Sequence, residues 1–352
     1  MTITSRSGAQ LLVDQLLIHG VDTIFCVPGE SYLPVLDALY APTQDGRVRL
    51  VSARHEGGAA FMAEAYGKLT GQPGICFVTR GPGASNAAIG VHTAFHDSTP
   101  MILFIGQVAR GFSEREAFQE IDFRRMFAPI SKWATQIDDP ARIPELLARA
   151  FALARTGRPG PVVIALPEDM LDEAAAVADA PPAQRVQAHP GAAHMAELHA
   201  RLAAAERPLL LVGGGDWNAG AAGDIRAFAQ ANHLPTVASF RAQDILDNAM
   251  PEYVGALGVG GNPQLQQRLA AADLLLAVGD RLSEMITDDY TLLRVPQPAQ
   301  ALVHVFPEPA ALGRVYQPQL AIVAGMPEFA AAARALPPSD GSRWAAWAAA
   351  AR

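Results

Sequence analysis

The sequence predicts an α/β protein with two doubly wound parallel-sheet domains. Helical and strand patterns alternate along the chain. Several predicted strands, such as residues 75–78, are continuously apolar, as is expected of strands covered by helices on both faces of a sheet. The chain has 352 residues, and domains typically have about 100–200 residues, so we expect two domains.

The first domain is predicted over residues 1–171. Apolar residues from Ile143 to Ala154 recur with helical spacing, and Gly157 and Pro159 end this helix before a strand at residues 162–166. The earlier elements alternate in the same way. They are helix 7–19, strand 23–27, helix 32–39, strand 48–52, helix 56–70, strand 74–79, helix 84–93 and strand 101–105.

The second domain is predicted over residues 194–337, after an aperiodic linker rich in Ala, Pro, Asp and Gln at residues 172–193. Residues 338–352 are predicted to start a connector to a further domain, with a turn at residues 339–342 and a helix at residues 344–352. The strands expected in the second domain are residues 209–212, 236–239, 274–278 and 301–305.

The composition excludes several classes of function. The formal net charge is −8 and no run of Lys or Arg occurs, so nucleic-acid binding is not expected. No apolar stretch is long enough for a membrane span, and Asp14 interrupts the first apolar run, which argues against a signal peptide. The two cysteines, Cys26 and Cys76, lie in predicted strands. Together these features predict a cytoplasmic protein.

The segments most informative about chemistry are RHEGGAAFMAEAYG at residues 54–67 and GPGASN at residues 81–86. His55 and Glu56 do not begin a zinc-protease HExxH motif, because position 59 is alanine. The second segment is predicted to be a turn between a strand and a helix, as in a dinucleotide site. However, Asn86 replaces the third glycine of that fingerprint. Neither a zinc nor a nicotinamide site is expected.

Together with AFHDSTPMILFIGQV at residues 94–108, these segments resemble the pyrimidine-binding domain of thiamine-diphosphate enzymes of the acetolactate-synthase type. Weaker similarity continues to about Pro337. The resemblance implies a pyrimidine-binding domain followed by a Rossmann-like central domain. It also implies the activity of a 2-oxo-acid carboligase or decarboxylase, a transferase or lyase.

The resemblance implies that Glu56 is the catalytic carboxylate. In the family, this glutamate shares a proton with N1′ of the cofactor, which favours the imino form of the 4′-amino group. That imine removes the proton from C2 of the thiazolium and gives the nucleophilic ylid. The small residues 57–60 allow a flat ring to approach the backbone. The alternative interpretation is that Glu56 only caps a helix.

Further roles follow from the resemblance. Glu30 occupies a position where many synthases have glycine, so the preferred substrate stays open. An ordinary turn is the alternative interpretation for residues 81–86, and a solvated side chain is the alternative for Lys132. The implied cofactor contacts are Val27, Pro28, Gly29, Glu56, Pro82, Gly83, Asn86 and Gln119, and the implied substrate contacts are Glu30, Phe118 and Lys132. His96 and Asp97 are compatible with acid–base chemistry, but Asp97 is better explained as a turn residue.

The expected cofactors are thiamine diphosphate and Mg²⁺. Relatives hold Mg²⁺ through a Gly-Asp-Gly segment and paired asparagines, whose oxygen atoms suit this hard ion. The nearest candidates are Asp216 and Asp280, and the sequence contains no Asn-Asn pair. The metal ligands are therefore expected in a diphosphate-binding domain that this sequence lacks, with none predicted within it.

The central domain also raises the possibility of FAD. Residues 213–215 are Gly-Gly-Gly, at the place where some relatives bind the adenine-nucleotide part of FAD. Residues 279–284, however, depart from the flavin-contacting segment of the synthases. An empty or structural Rossmann-like domain is therefore favoured over FAD.

The resemblance also implies partners. The family's active site forms between the pyrimidine domain of one subunit and the diphosphate domain of another, so a homodimer through the first domain is expected. The chain is interpreted as a fragment of such an enzyme, acting on a small 2-oxo acid. A non-catalytic cofactor-binding or regulatory protein and one chain of a split enzyme are the alternatives.

Overall fold

The computed structural model describes residues 4–351 and divides into two compact units. The division lies between Val186 and Gln187, within the stretch predicted as linker. The ends of the predicted ranges 1–171 and 338–352, at residues 1–3 and 352, lie outside the described residues. The domain boundaries themselves stay a prediction.

The first unit alternates helices and strands, as predicted. Its elements in chain order are β1 (Arg6–Ser7), α1 (Gly8–Ile18), β2 (Thr23–Cys26), α2 (Leu33–Ala38), α3 (Tyr40–Gln44), β3 (Arg49–Ser52), α4 (Glu56–Thr70), β4 (Gly74–Val78), α5 (Gly81–Asp97), β5 (Met101–Gln107), α6 (Phe123–Phe127), β6 (Trp133–Gln136), α7 (Ile143–Arg155), β7 (Pro161–Pro167), α8 (Glu168–Asp172) and β8 (Ala174–Ala175).

A six-stranded parallel sheet in the order β3-β2-β4-β5-β7-β6 forms the centre of this unit. Apolar clusters pack on both of its faces, one against α1, α2 and α7 and the other against α4, α5 and α6. β8 pairs antiparallel with β1, so the beginning of the predicted linker belongs to this unit. The doubly wound prediction is confirmed.

The winding direction of this sheet positions the site. The chain moves from β2 outward to β3 and then returns to β4 on the other side of β2. In open α/β sheets, a crevice forms at the carboxyl ends of the two strands between which the winding reverses. Here that crevice lies between the residues that follow Cys26 and those that follow Val78.

The second unit has the same architecture. Its elements are α9 (Ala192–Ala204), β9 (Pro208–Val212), α10 (Ala219–Ala231), β10 (Thr236–Ala238), β11 (Tyr253–Ala256), α11 (Pro263–Ala271), β12 (Leu274–Val278), α12 (Glu284–Thr287), β13 (Ala301–Phe306), β14 (Leu320–Val323), α13 (Met326–Arg334) and α14 (Ala345–Ala351). The sheet order is β11-β10-β9-β12-β13-β14, and all pairs are parallel. Its winding reverses between β9 and β12.

The last helical segment packs against the core of the second unit. Trp344 is fully buried, and its indole N–H donates to the carbonyl of Asn232 at 3.1 Å. Trp347 donates to the carbonyl of Pro208 at 2.9 Å. The predicted helix is confirmed, while its interpretation as the start of a connector stays a prediction.

One predicted element is wrong in extent. Residues 81–86 are the first turns of α5 and not a turn before it, because the helix begins at Gly81. Proline is tolerated in the first turn of a helix, where its missing N–H has no intrahelical acceptor, so Pro82 does not delay the helix. Among residues 4–351, no helix has the length and apolar character to cross a membrane.

Close packing of α4 on α5 gives a test of the fold. A Cβ atom on Gly90 would lie 2.5 Å from the Cβ of Ala60, so we expect Gly90→Ala to lower the free energy of unfolding by about 1–3 kcal/mol through overpacking. Calorimetric unfolding would measure it.

The matched control is Gly58→Ala in α4, where an added Cβ meets nothing within 4 Å. Because alanine is the better helix former, this variant should be neutral or more stable by up to about 1 kcal/mol. Equal stability of the two variants would contradict the proposed packing.

Candidate functional site

Glu56 is the first residue of α4, at the carboxyl edge of the first sheet. The preceding residue, His55, is extended and caps the helix, since its Nδ1 accepts a hydrogen bond from the Gly57 N–H at 3.0 Å. The half-buried Glu56 side chain is engaged elsewhere: its Oε2 accepts a hydrogen bond from Nδ2 of Asn86 at 2.9 Å. The cap is therefore His55, and the carboxylate of Glu56 faces α5.

The beginning of α5 leaves space beside this carboxylate. A Cβ atom on Gly83 would lie 3.5 Å from Oε1 of Glu56 and 3.2 Å from Cγ2 of Thr79. Glycine at this position therefore adds no side-chain atom beside Oε1. Pro82 and Asn86, on the same first turns, are exposed.

The segment after β2 packs against the end of β4. Ser31 is fully buried, and its hydroxyl is hydrogen-bonded to that of Thr79 at 2.8 Å. A Cβ atom on Gly29 would lie only 2.5 Å from the Cβ of Thr79, so this approach requires glycine. Residues 27–30 are thereby placed beside the start of α5, with the side chain of Glu30 exposed.

Tyr32 also holds the segment after β2 in place. Its buried hydroxyl donates to the carbonyl of Val27, and burial raises the pKa of the phenol, followed by smaller contributions from Cys26, Cys76, Glu56 and Glu30. The phenol is therefore a neutral donor at physiological pH. Val27 is half-buried and Pro28 is exposed.

Gln119 reaches the start of α5 from the other side. The N–H of Gly81 donates to the carbonyl of Gln119 at 2.9 Å, while the neighbouring Phe118 is 74% exposed. The structure thus brings most of the predicted cofactor and substrate residues to one edge of the sheet: Val27, Pro28, Gly29, Glu30, Glu56, Pro82, Gly83, Asn86, Phe118 and Gln119.

Lys132 does not lie with the residues gathered at the carboxyl edge of the sheet. It immediately precedes β6, and its N–H donates to the carbonyl of Pro161 at the amino edge of the sheet. Its ammonium group donates to the carbonyls of Leu153 and Thr156 at the end of α7, where a cation is favoured by the helix dipole. The solvated interpretation also fails, because the ammonium group is bound to the backbone.

Asp97 also lies away from Glu56. It is the last residue of α5, whereas Asn86 lies near the beginning of that helix. Its carboxylate pairs with Lys68 at 3.5 Å. The structure therefore favours a structural role for Asp97 over acid–base chemistry.

Arg110, Asp169 and Glu173 fix the segment after β5 and were not predicted from the sequence. Arg110 donates from its backbone N–H and its Nε to Asp169 at 3.0 and 2.8 Å, and from its guanidinium to Glu173 at 2.7 Å. Burial alone would raise the pKa of Asp169, but the hydrogen bonds and charge of Arg110 outweigh it and lower the pKa. Residues this distant in sequence leave no local motif that identifies them.

Residues that follow β9 and β12 approach one another closely at the carboxyl edge of the second sheet. Gly214 and Gly279 have φ values of +71° and +80°, and a Cβ on Gly214 would lie 1.9 Å from the carbonyl oxygen of Gly279. The Asp280 carboxylate accepts hydrogen bonds from the Ser239 hydroxyl and from the Leu282 N–H. His304 Nε2 donates to the carbonyl of Asp280 at 2.7 Å, and burial lowers the pKa of this imidazole.

These residues do not fit the pyrophosphate of FAD. A Cβ on Gly213 would lie 3.0 Å from Oδ2 of Asp280, so an anion approaching the glycines would meet a carboxylate. Asp216 also has an internal role, since its Oδ2 accepts from Nε2 of Gln187 at 3.2 Å and from the Met326 N–H at 3.4 Å.

Within residues 4–351, no three or more His, Cys, Asp or Glu side chains are grouped so as to hold a metal ion. Asp216 and Asp280, the two aspartates whose surroundings are most similar to a Gly-Asp-Gly segment, are both held by internal hydrogen bonds.

Comparison with known families matches both units. The family model described as "Thiamine pyrophosphate enzyme, N-terminal TPP binding domain" matches residues 6–126. The model described as "Thiamine pyrophosphate enzyme, central domain" matches residues 195–333. Both units of the fold therefore have counterparts in the same group of enzymes.

Curated proteins similar to this chain are named acetolactate synthase large subunits. The protein from Parasynechococcus marenigrum is 38% identical over 316 residues, which are 87% of this chain and 50% of that protein. The Corynebacterium glutamicum protein is 35% identical over 87% of this chain and 49% of its own length. For isozyme 2 of Escherichia coli the values are 34%, 87% and 55%. The chain spans about half the length of these relatives.

The position of Lys132 can be tested by Lys132→Met, which keeps the aliphatic chain but removes the ammonium group from the carbonyls of Leu153 and Thr156. We expect the free energy of unfolding to fall by about 1–3 kcal/mol, because these acceptors lose a charged donor. Urea unfolding followed by circular dichroism measures the loss.

Lys68→Met is the control for this substitution. Lys68 is partly exposed and pairs with Asp97 at 3.5 Å, an arrangement that contributes less than about 1 kcal/mol. If Lys132→Met were no less stable than Lys68→Met, the assignment of Lys132 to the end of α7 would be wrong.

Proposed function

This chain belongs to the thiamine-diphosphate enzyme family, and on that premise we propose that its first unit binds the aminopyrimidine ring of thiamine diphosphate at Glu56. The observation that supports this proposal is the arrangement of the Glu56 carboxylate. Asn86 holds Oε2 at 2.9 Å, and Gly83 adds no side-chain atom beside Oε1. A hydrogen bond to a nitrogen atom of a flat ring requires an oxygen atom that is fixed in this way.

Glu56 would exchange a proton with N1′ of the ring through Oε1. The Asn86 amide fixes the rotation of the carboxylate, so Oε1 is oriented before the ring arrives and little rotamer freedom is lost on binding. When bound, thiamine diphosphate supplies a nucleophilic carbon that attacks the carbonyl carbon of a substrate. The proton held by Glu56 is the contribution of this chain to that activation.

The other residues at this edge would bind and orient the ring. Gly83 admits it beside Oε1, and the Val27–Gly29 segment supplies backbone and apolar surface opposite α5. The segment is held in place by the Ser31–Thr79 hydrogen bond. Gln119 and Pro82 border the same space.

We propose a 2-oxo acid as substrate and decarboxylation followed by carboligation as the reaction. The names of the relatives, acetolactate synthase large subunits, support this class. The exposed Glu30 and Phe118 are the proposed substrate contacts. Lys132 is left out of the substrate site, since its ammonium group is bound at the opposite edge of the sheet.

The diphosphate and Mg²⁺ are proposed to bind a domain whose residues this sequence does not contain. Support comes from the absence of an Asn-Asn pair and from the internal hydrogen bonds of Asp216 and Asp280. The second unit is proposed to be structural, without FAD, because Asp280 occupies the crevice.

The free, buried Cys26 and Cys76 are compatible with a reducing compartment and so support a cytoplasmic location.

Binding of thiamine, which carries the aminopyrimidine ring without the diphosphate, tests the role of Glu56 without requiring turnover. Titration calorimetry should show binding to the wild-type chain and an affinity lower by about tenfold or more in Glu56→Gln, equivalent to at least about 1.4 kcal/mol. Glu145→Gln is the control, because Glu145 is exposed on α7 and pairs with Arg142. Equal affinities of wild type and Glu56→Gln would refute the proposed role.

The proposed quaternary structure is a homodimer through the first unit. Light scattering at micromolar concentration should give twice the monomer mass, and a monomer alone would contradict the proposal.

With Mg²⁺, cofactor and a 2-oxo acid, the isolated chain should release no product, whereas carboligation by this chain would show that it is a complete enzyme. Co-purification of a second polypeptide that restores turnover would favour the split enzyme. Binding of the cofactor without turnover, with or without a second polypeptide, would favour the regulatory protein.

A further inference from the structure

The segment that carries Phe118 and Gln119 has an uncommon backbone. Three of its non-glycine residues lie in the left-handed region, with φ values of 63° at Glu114, 53° at Glu116 and 65° at Gln119. Side chains with a Cβ atom disfavour this region, so such residues persist only where the surroundings impose the conformation. Strain of this kind is concentrated at binding and catalytic sites.

Glu120 imposes this conformation from within the segment. Its Oε1 accepts a hydrogen bond from the Glu114 N–H at 2.7 Å, and its Oε2 accepts one from the Ala117 N–H at 3.0 Å. The Glu120 N–H in turn donates to the carbonyl of Ala117 at 2.9 Å. One carboxylate thus closes a loop of seven residues, 114–120, by accepting hydrogen bonds from two backbone N–H groups. These hydrogen bonds are among the stronger ones because the acceptor is charged.

The C-terminal end of the closed loop is attached to two elements that border the site, α5 and β5. The Gly81 N–H donates to the carbonyl of Gln119 at 2.9 Å, and Nε2 of Gln107, at the end of β5, donates to the carbonyl of Ile121 at 2.8 Å. The loop is therefore fixed to the start of α5, the helix that also carries Gly83 and Asn86. Phe118, the residue before Gln119, is exposed.

The side chain of Gln119 completes the observation. Its Oε1 is buried, and within the described residues 4–351 it has no hydrogen-bond donor. A buried amide oxygen without a donor is costly unless a ligand or water supplies one. The loop thus holds an unsatisfied acceptor beside the start of α5.

We propose that Glu120 is a positioning residue that holds the loop 114–120 closed and thereby presents Gln119 to the cofactor and Phe118 to the substrate. This inference rests on the proposed function, since it concerns the same pocket. Glu120 itself need not touch either molecule. It acts through the backbone of Glu114 and Ala117, and its contribution to binding passes through Gln119.

Glu120→Gln tests the clamp, because the amide keeps the size of the side chain but loses the charge and one acceptor oxygen. Hydrogen exchange should accelerate about tenfold or more at the amides of Glu114 and Ala117, the two donors to the carboxylate. Affinity for thiamine should fall about tenfold. Glu116→Gln is the matched control: the same charge is removed from the same loop, but Glu116 is exposed, and neither readout should change.

A double-mutant cycle separates positioning from general loss of structure. If Glu120 acts through Gln119, Glu120→Gln should weaken thiamine binding in the wild-type background but not in Gln119→Ala, so the two effects are not additive. Additive effects, or unchanged exchange at Glu114 and Ala117, would overturn the inference. A wild-type chain that binds no thiamine would instead refute the proposed function and the presentation of Gln119 with it, while faster exchange in Glu120→Gln would still support the clamp.

Discussion

The parallel pairing of β2 with β4 is the constraint on which the rest of the site depends. Cys26 lies beside Phe77 in this register, so the chain leaves both strands at the same level of the sheet. The segments that follow meet at Thr79, which contacts Gly29 and is hydrogen-bonded to Ser31. With the neighbouring strands in a different order, the residues after Cys26 and those of the first turns of α5 would lie apart.

The orientation of Glu56 depends on how closely α4 approaches α5. The facing residues are small, and Gly90 lies against Ala60 where even a methyl group would not fit. The same closeness brings Gly57 near the backbone of Asn86, where a Cβ would lie 3.3 Å from the carbonyl oxygen. The Asn86 amide can therefore reach the carboxylate across the helix pair. A contact that is entirely apolar and distant from the pocket thus determines the geometry of its polar group.

Most of the fold could be predicted because the central strands are continuously apolar and the helices between them are amphipathic. Helix 56–70 and strand 274–278 were predicted at the residues where the structure has them. Strands β6, β11 and β14 were missed, and all three lie at the edges of their sheets. The two-residue strands β1 and β8 were also missed, because they are too short to leave a pattern. The motif also predicted which residues gather at the carboxyl edge. It could not predict that His55 provides the cap or that Lys132 binds the end of α7, because these roles depend on contacts between segments distant in sequence.

The close approach of residues at the carboxyl edge of the second sheet has a consequence for how this part of the protein reaches its folded state. In many sheets of this type, the loops at the reversal of winding are ordered by a bound nucleotide. Here the Asp280 carboxylate satisfies Ser239 and Leu282 from within the chain. Under the proposal that the second unit binds no FAD, this carboxylate takes the place of a ligand anion, and we expect the unit to fold without a supply of flavin.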